Sequence, residues 1–137
     1  GISKNIKLEN VATLRTKISK IRTVNSNSQV GYGTNNITKQ KIKIGIIPIG
    51  YADGFSRALG NGVGRVYVNG EFAHTYGNIC MDMSFLNLEN INAQVGDIVE
   101  VFGENNSIVN IAKSINTIPY EILSTISQRV VRIYSND

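Results

Sequence analysis

Three tyrosines sit where the backbone turns. Tyr32 lies in QVGYGTN (29–35) between Gly31 and Gly33, Tyr51 leads into Ala52, Asp53 and Gly54, and Tyr120 follows Pro119. A phenol can hydrogen-bond in either direction, and as a phenolate it can take a proton. Its ordinary pKa of about 10 makes it a poor base at neutral pH. Lowering that value to about 7 asks for roughly 4 kcal/mol of preferential phenolate stabilisation. The same ring also buries well, so each tyrosine taken singly reads more readily as core than as chemistry. For Tyr32 two readings stand side by side. The glycines make a hairpin corner and the ring caps the core, or they let the hydroxyl reach out of the domain.

Other chemistries find little support. The stretch GNGVG (60–64) has no lysine and no strand-to-helix setting, so it is not a phosphate loop. His74 is the only histidine and Cys80 the only cysteine, which leaves no metal cluster and no internal disulfide. His74 reads as an ordinary histidine of a hairpin and Cys80 as a small core residue of an apolar strand. No nucleophile elbow accompanies His74.

The elements that must position these residues are mostly strands. Residues 14–24 alternate Leu14, Thr16 and Ile18, then slip phase so that Ile21 and Val24 are apolar, which predicts a bulge. Residues 41–50 begin as alternation and become a solid apolar run, as in a strand buried on both faces, with Pro48 limiting the pairing near its end. Asn69-Gly70 between apolar flanks predicts a tight hairpin. Further strands are expected over 77–86, over 95–103 and in RVVRIY near the end of the chain. Two short helices are expected. One covers 110–115 with Asn110 as N-cap, and one covers 119–127 with Pro119 in its first turn and Ile118, Ile122 and Ile126 on one stripe. Many short strands with turn chemistry between them predict a mainly β fold, a closed Greek-key-like β barrel with two short helices.

The 137 residues suit a single domain, 1–137, and 42% hydrophobic residues supply a core. The net charge of +4 is mild. Lys17, Lys20 and Arg22, like Lys39, Lys41 and Lys43, read as solvated strand faces rather than a nucleic-acid patch. The longest apolar run is far shorter than a membrane helix requires, and no signal-peptide pattern is present. A cytoplasmic protein is expected. The chain opens at Gly1 without methionine, as a piece of a longer protein would.

Taken together, VGYG, IPIGYADGFSR, GNICMDM, VGDIVEVFG and TIPYEILSTISQRVVRIY, in this order and spacing, resemble the C-terminal domain of alanine racemases from about residue 10 to 134. LGNGVG and VNGEFAHTYGNICMD look more like the subgroup fused behind a UDP-N-acetylmuramoyl-tripeptide–D-alanyl-D-alanine ligase. The resemblance implies an enzyme that uses pyridoxal 5'-phosphate (PLP) to interconvert L-alanine and D-alanine for peptidoglycan synthesis. It implies an N-terminal PLP-binding (β/α)8 barrel, absent from this chain, which carries the lysine that binds the cofactor covalently. It also implies a homodimer in which this domain of one subunit closes the site of the other, on a small amino-acid substrate, with no nucleic acid and no membrane.

Residue by residue, the resemblance implies that Tyr32 is the catalytic base on the L face. Met81 matches the position whose backbone amide meets the substrate carboxylate, and Tyr51 matches a neighbouring active-site tyrosine. Tyr120 matches the tyrosine that hydrogen-bonds the cofactor phosphate. Arg57, Asp82 and Ile118, with Tyr120, match the corridor through which substrate enters. Asn78 departs from the pattern, since many members carry arginine there, and this removes a cation from the corridor. None of the lysines matches the cofactor-binding one, so the isolated chain is expected to be inactive. Two further readings stand beside this one. A related PLP-dependent serine racemase or decarboxylase domain would differ in its motifs or in side chains near Tyr120. A stand-alone basic β barrel that binds nucleic acid would want aromatics among its basic residues, and TKISKIR and TKQKIKIG have none.

Overall fold

The computed structural model describes residues 13–25 and 41–126. Tyr32 and the expected strand RVVRIY lie outside the described residues. Seven strands are present: β1 (Leu14–Lys17), β2 (Lys20–Val24), β3 (Ile42–Ile47), β4 (Arg65–Val68), β5 (Glu71–His74), β6 (Ser84–Asn87) and β7 (Ile98–Phe102). Two helices follow, α1 (Ile108–Ser114) and α2 (Pro119–Ser124). The strands form two antiparallel sheets, ordered β1-β7-β4-β5 and β2-β3-β6. The mainly β fold with two short helices is as the sequence predicts.

The phase slip in residues 14–24 has a different cause from the one expected. A register shift does occur, but between Leu14 and Arg15. At Ile18 and Ser19 the chain instead changes sheets. The Ile18 amide donates to the Asp97 carbonyl at the edge of β7, and the next amide, of Ser19, donates to the Ile46 carbonyl of β3. Side chains that faced inward on one sheet must rephase on the other, so the apolar positions move from Ile18 to Ile21. A second corner follows β5. The Thr75 amide donates to the Gly64 carbonyl, the next amide, of Tyr76, donates to the Phe85 carbonyl, and Thr75 bridges Leu86.

Most buried apolar side chains form one cluster between the sheets, including Leu14, Ile18, Ile47, Val66, Val68, Leu86, Leu88, Val99 and Ile108. A second cluster, Val24, Ile42, Ile44, Cys80 and Phe85, covers the other face of β3. β3 is therefore buried on both faces, as its unbroken apolar run predicts. The Asn69-Gly70 hairpin is also present, with left-handed φ of 51° and 85° at its two turn residues.

Three local expectations are corrected. Residues 77–83 do not form a strand, and β6 begins only at Ser84. The cause is a tight turn in which the Cys80 amide donates to the Met83 carbonyl, while the preceding carbonyls face another segment. α1 begins earlier than Asn110. Its N-cap is Ser107, whose hydroxyl accepts from the Val109 amide. Ile118 is the N-cap of α2 and 61% exposed, so it does not continue the half-buried Ile122 and Ile126.

Candidate functional site

The segment between β3 and β4 docks on the turn that precedes β6, backbone against backbone. The Tyr51 amide donates to the Cys80 carbonyl and the Ala52 amide to the Met81 carbonyl, both at 3.0 Å. This approach requires Gly50, because a Cβ there would stand 2.2 Å from the Cys80 carbonyl oxygen and 2.5 Å from that of Met81. The docked segment is a single 3-10 turn, Tyr51–Asp53, closed at both ends. The buried Asp53 carboxylate accepts from the Gly50 amide at 3.0 Å, and the Asp53 amide donates back to the Gly50 carbonyl. Gly54 ends the turn in the left-handed region, with φ of 105°. The Ser84 hydroxyl donates to the Ile49 carbonyl at 2.6 Å and ties the start of β6 to the same segment.

This clamp holds side chains outward. Cys80 is buried in the second cluster, while Tyr51 is 45% and Met81 51% exposed. The Arg57 guanidinium lies 5.5 Å from the centre of the Tyr51 ring, within cation–π range. Asp82, next to Met81, is exposed. The Met81 carbonyl is occupied by Ala52, but the Met81 amide donates to no acceptor among the described residues. A backbone N–H with no acceptor among the described residues is a suitable contact for a carboxylate.

Ile118 and Tyr120 come from a separate element. Tyr120 is 69% exposed on α2, and its hydroxyl has no hydrogen-bond partner among the described residues. The far end of α2 meets the docked turn, since a Cβ on Gly54 would stand 2.6 Å from the Thr125 carbonyl oxygen. The sequence-predicted residues thus fall into a group gathered where the two segments dock, Tyr51 and Arg57 on one and Met81 and Asp82 on the other, and a pair, Ile118 and Tyr120, on the element that meets Gly54. Asn78 accepts a hydrogen bond from the Asn61 side chain at 3.0 Å, so a neutral pair stands at that position.

Sequence reasoning missed the parts that fix this geometry. Gly50 and Asp53 hold the turn in which Tyr51 stands. Their spacing, glycine followed three residues later by a carboxylate, is the available signal of a capped turn.

Fold and site together define a small β domain that presents a rigid rim of exposed aromatic, apolar and cationic groups and holds no complete catalytic constellation among its described residues. The chain belongs to the family "Alanine racemase, C-terminal domain", which it matches over residues 11–134. It is 42% identical over 131 residues to the alanine racemase of Helicobacter pylori strain Shi470, covering 93% of this chain and 34% of that protein. The chain thus spans about a third of the length of the curated relatives it matches. Among solved structures it superposes on alanine racemase from Clostridium difficile 630 in complex with cycloserine, with TM-score 0.81 and 40% identity over 89% of this chain and 32% of that one. It also superposes on alanine racemase from Bartonella henselae with covalently bound pyridoxal phosphate, with TM-score 0.84 and 33% identity over 90% of this chain and 34% of that one. Among the described residues no helix is long and apolar enough to cross a membrane, and no three His, Cys, Asp or Glu side chains gather as a metal site.

Proposed function

We propose that this chain completes the active site of a PLP-dependent alanine racemase that interconverts L-alanine and D-alanine for peptidoglycan synthesis. The cofactor and the lysine that binds it belong to an N-terminal (β/α)8 barrel. Two copies of the full protein pair in the cytoplasm, and this domain of one closes the site of the other. In this reading the two sheets are halves of one closed Greek-key-like barrel. The amides that turn from one sheet to the other at Ile18-Ser19 and at Thr75-Tyr76 support it.

The observation that carries the reading is the Met81 amide, undonated among the described residues and set in the turn on which Tyr51 and Ala52 dock, with Arg57 over the Tyr51 ring. That amide binds the substrate carboxylate, and the clamp keeps it aimed without cost at the moment of binding. Bound PLP supplies the electron sink that makes the α-proton removable. Tyr32 takes or returns that proton on the L face, and the barrel lysine serves the D face. Tyr120 gives one hydroxyl to the cofactor phosphate. Its exposure suits that contact but not retention of the cofactor by this chain alone. Arg57, Asp82 and Ile118 line the way in.

The test is Tyr32→Phe in the full-length protein. PLP should stay bound while racemisation falls sharply. Exchange of the α-hydrogen with solvent should fall further from L-alanine than from D-alanine, because the base on the other face survives. Turnover equal to the unmodified protein would reduce Tyr32 to a packing residue.

A further inference from the structure

The turn of the β4–β5 hairpin carries an Asn-Gly pair whose side chain is tied to a different part of the fold. Asn69 is exposed, and its carboxamide nitrogen donates to the Asp97 carboxylate at 2.8 Å and to the Asn92 carbonyl at 3.0 Å. Both partners are pure acceptors, so the amino group of Asn69 faces them and both of its hydrogens are used. The Asp97 oxygen that accepts from Asn69 also accepts from the Gln94 amide at 2.8 Å. That loop leads directly into β7 and is pinned to the residue after β1 by the Ile18 amide on the Asp97 carbonyl and the Gly96 amide on the Ile18 carbonyl. Gly70 follows, with nothing within 4 Å of the place a Cβ would take.

Asparagine before an unhindered glycine can lose its side-chain amide without an enzyme. The Gly70 nitrogen gives up its proton to solvent and attacks the Asn69 side-chain carbonyl carbon. The bond from that carbon to the side-chain nitrogen breaks, and ammonia leaves with a proton from water. A five-membered imide remains. Water then opens it at either carbonyl to give aspartate or isoaspartate, so the sum is asparagine plus water to acid plus ammonia. The attack requires the Asn69 carboxamide to rotate toward the backbone, and the two hydrogen bonds oppose that rotation. The product has the opposite chemistry. A carboxylate at position 69 would confront the Asp97 carboxylate and the Asn92 carbonyl with no hydrogen to share.

We propose that Asn69 is a latent deamidation site, held intact by Asp97 and Asn92, whose conversion to an acid releases the β4–β5 turn from the Asn92–Asp97 loop.

Charged or titratable side chains on the adjoining elements are Arg15 and Lys17 on β1, the latter paired in register with Ile98, Arg65 on β4, Glu71 and His74 on β5, and Glu100 on β7. Lys43 lies beyond and donates to the Ile91 carbonyl at 3.0 Å. None of them is hydrogen-bonded to Asp97 among the described residues. The backbone amide of Gln94 first, and the Asn69 side chain second, hold the Asp97 carboxyl below its ordinary range. A second carboxylate at position 69 would replace one of these donors with a like charge.

The experiment incubates the full-length protein at pH 8 and follows residue 69 by peptide mapping, resolving asparagine, aspartate and isoaspartate. Native protein should convert slowly, and the same protein unfolded in urea quickly. Asp97→Asn, checked for folding by circular dichroism, should convert about tenfold faster than native, because it loses a charge-assisted hydrogen bond. A direct product mimic, Asn69→Asp, should melt below native at pH 7 and regain the difference as pH falls and one of the facing carboxylates protonates. Equal conversion in native and urea-unfolded protein, or in native and folded Asp97→Asn, would overturn the protection. An Asn69→Asp protein that melts with the native at pH 7 would overturn the release.

Discussion

Gly50 touches Cys80 so closely that no other residue fits, since a Cβ on Gly50 would stand 2.2 Å from the Cys80 carbonyl oxygen. The obstacles are backbone atoms, which cannot swing aside as a flexible side chain would. Gly50→Ala should therefore lift the 3-10 turn off Cys80 and Met81. A cost of about 2 kcal/mol, typical of overpacking, is expected as a lowered Tm. Racemisation in the full-length protein should fall by more than the stability loss explains, because Tyr51 and Met81 lose their common frame. An Ala variant with native Tm and native turnover would show that the docking is dispensable.

Asp53 makes a narrower prediction. Its buried carboxylate accepts the Gly50 amide at 3.0 Å. Asp53→Ala leaves that amide without its acceptor in a dry setting and should cost about 1–3 kcal/mol by denaturant melts. Asp53→Asn keeps an oxygen in place and should recover part of the loss.

Asp97 gives a pH dependence. Its carboxyl is held below the ordinary range by the Gln94 amide and then by the Asn69 side chain. A lowered folded pKa contributes stability that is fully present above the unfolded value, about 4. The contribution is lost as pH falls through the folded value. Thermal melts from neutral to acid pH should show the native protein losing stability in that window more steeply than Asp97→Asn.

How far the sequence announced this fold depends on which forces set each part. The Asn69-Gly70 hairpin and β3 were legible because turn chemistry and unbroken apolar composition are local signals. Residues 77–86 misled because Ile79, Cys80, Phe85 and Leu86 are all buried, and burial alone does not distinguish a strand from a turn packed on a sheet. The turn is decided by the carbonyls of Cys80 and Met81, which bond to a segment some thirty residues earlier. Similarly, the phase slip after Ile18 marked a real event, but a chain passing from one sheet to the other between β1 and β2 is a tertiary fact that periodicity cannot state. The candidate site residues were read from family motifs, whereas the support of Tyr51 by Gly50 and Asp53 needed the backbone geometry.

α1 offers a plain check of that geometry. The Ser107 hydroxyl accepts from the Val109 amide at 3.1 Å, and Asn106 before it donates to the Arg65 and Val101 carbonyls at 2.9 Å. Ser107→Ala should cost about 1 kcal/mol as a lost cap. Asn106→Leu strands two carbonyls and should cost more, with the order read from urea midpoints.

Met81 separates a side-chain role from a backbone one. Its side chain is 51% exposed, and its carbonyl is held by the Ala52 amide at 3.0 Å. If the amide is what meets the substrate carboxylate, the side chain matters little. Met81→Ala in the full-length protein should then change stability by no more than about 0.5 kcal/mol and leave the KM for alanine close to native. Met81→Pro deletes the N–H while keeping the carbonyl that Ala52 needs. It should raise KM by about tenfold or more, the value of a hydrogen bond to a charged group. Proline also restricts Cys80 before it, so Tm must be read alongside. A backbone ester at position 81, introduced by semisynthesis, removes the same donor without that restriction and should reproduce the KM effect. A folded ester variant with native KM would show that the carboxylate is held elsewhere, and the role given to the Met81 amide would have to be withdrawn.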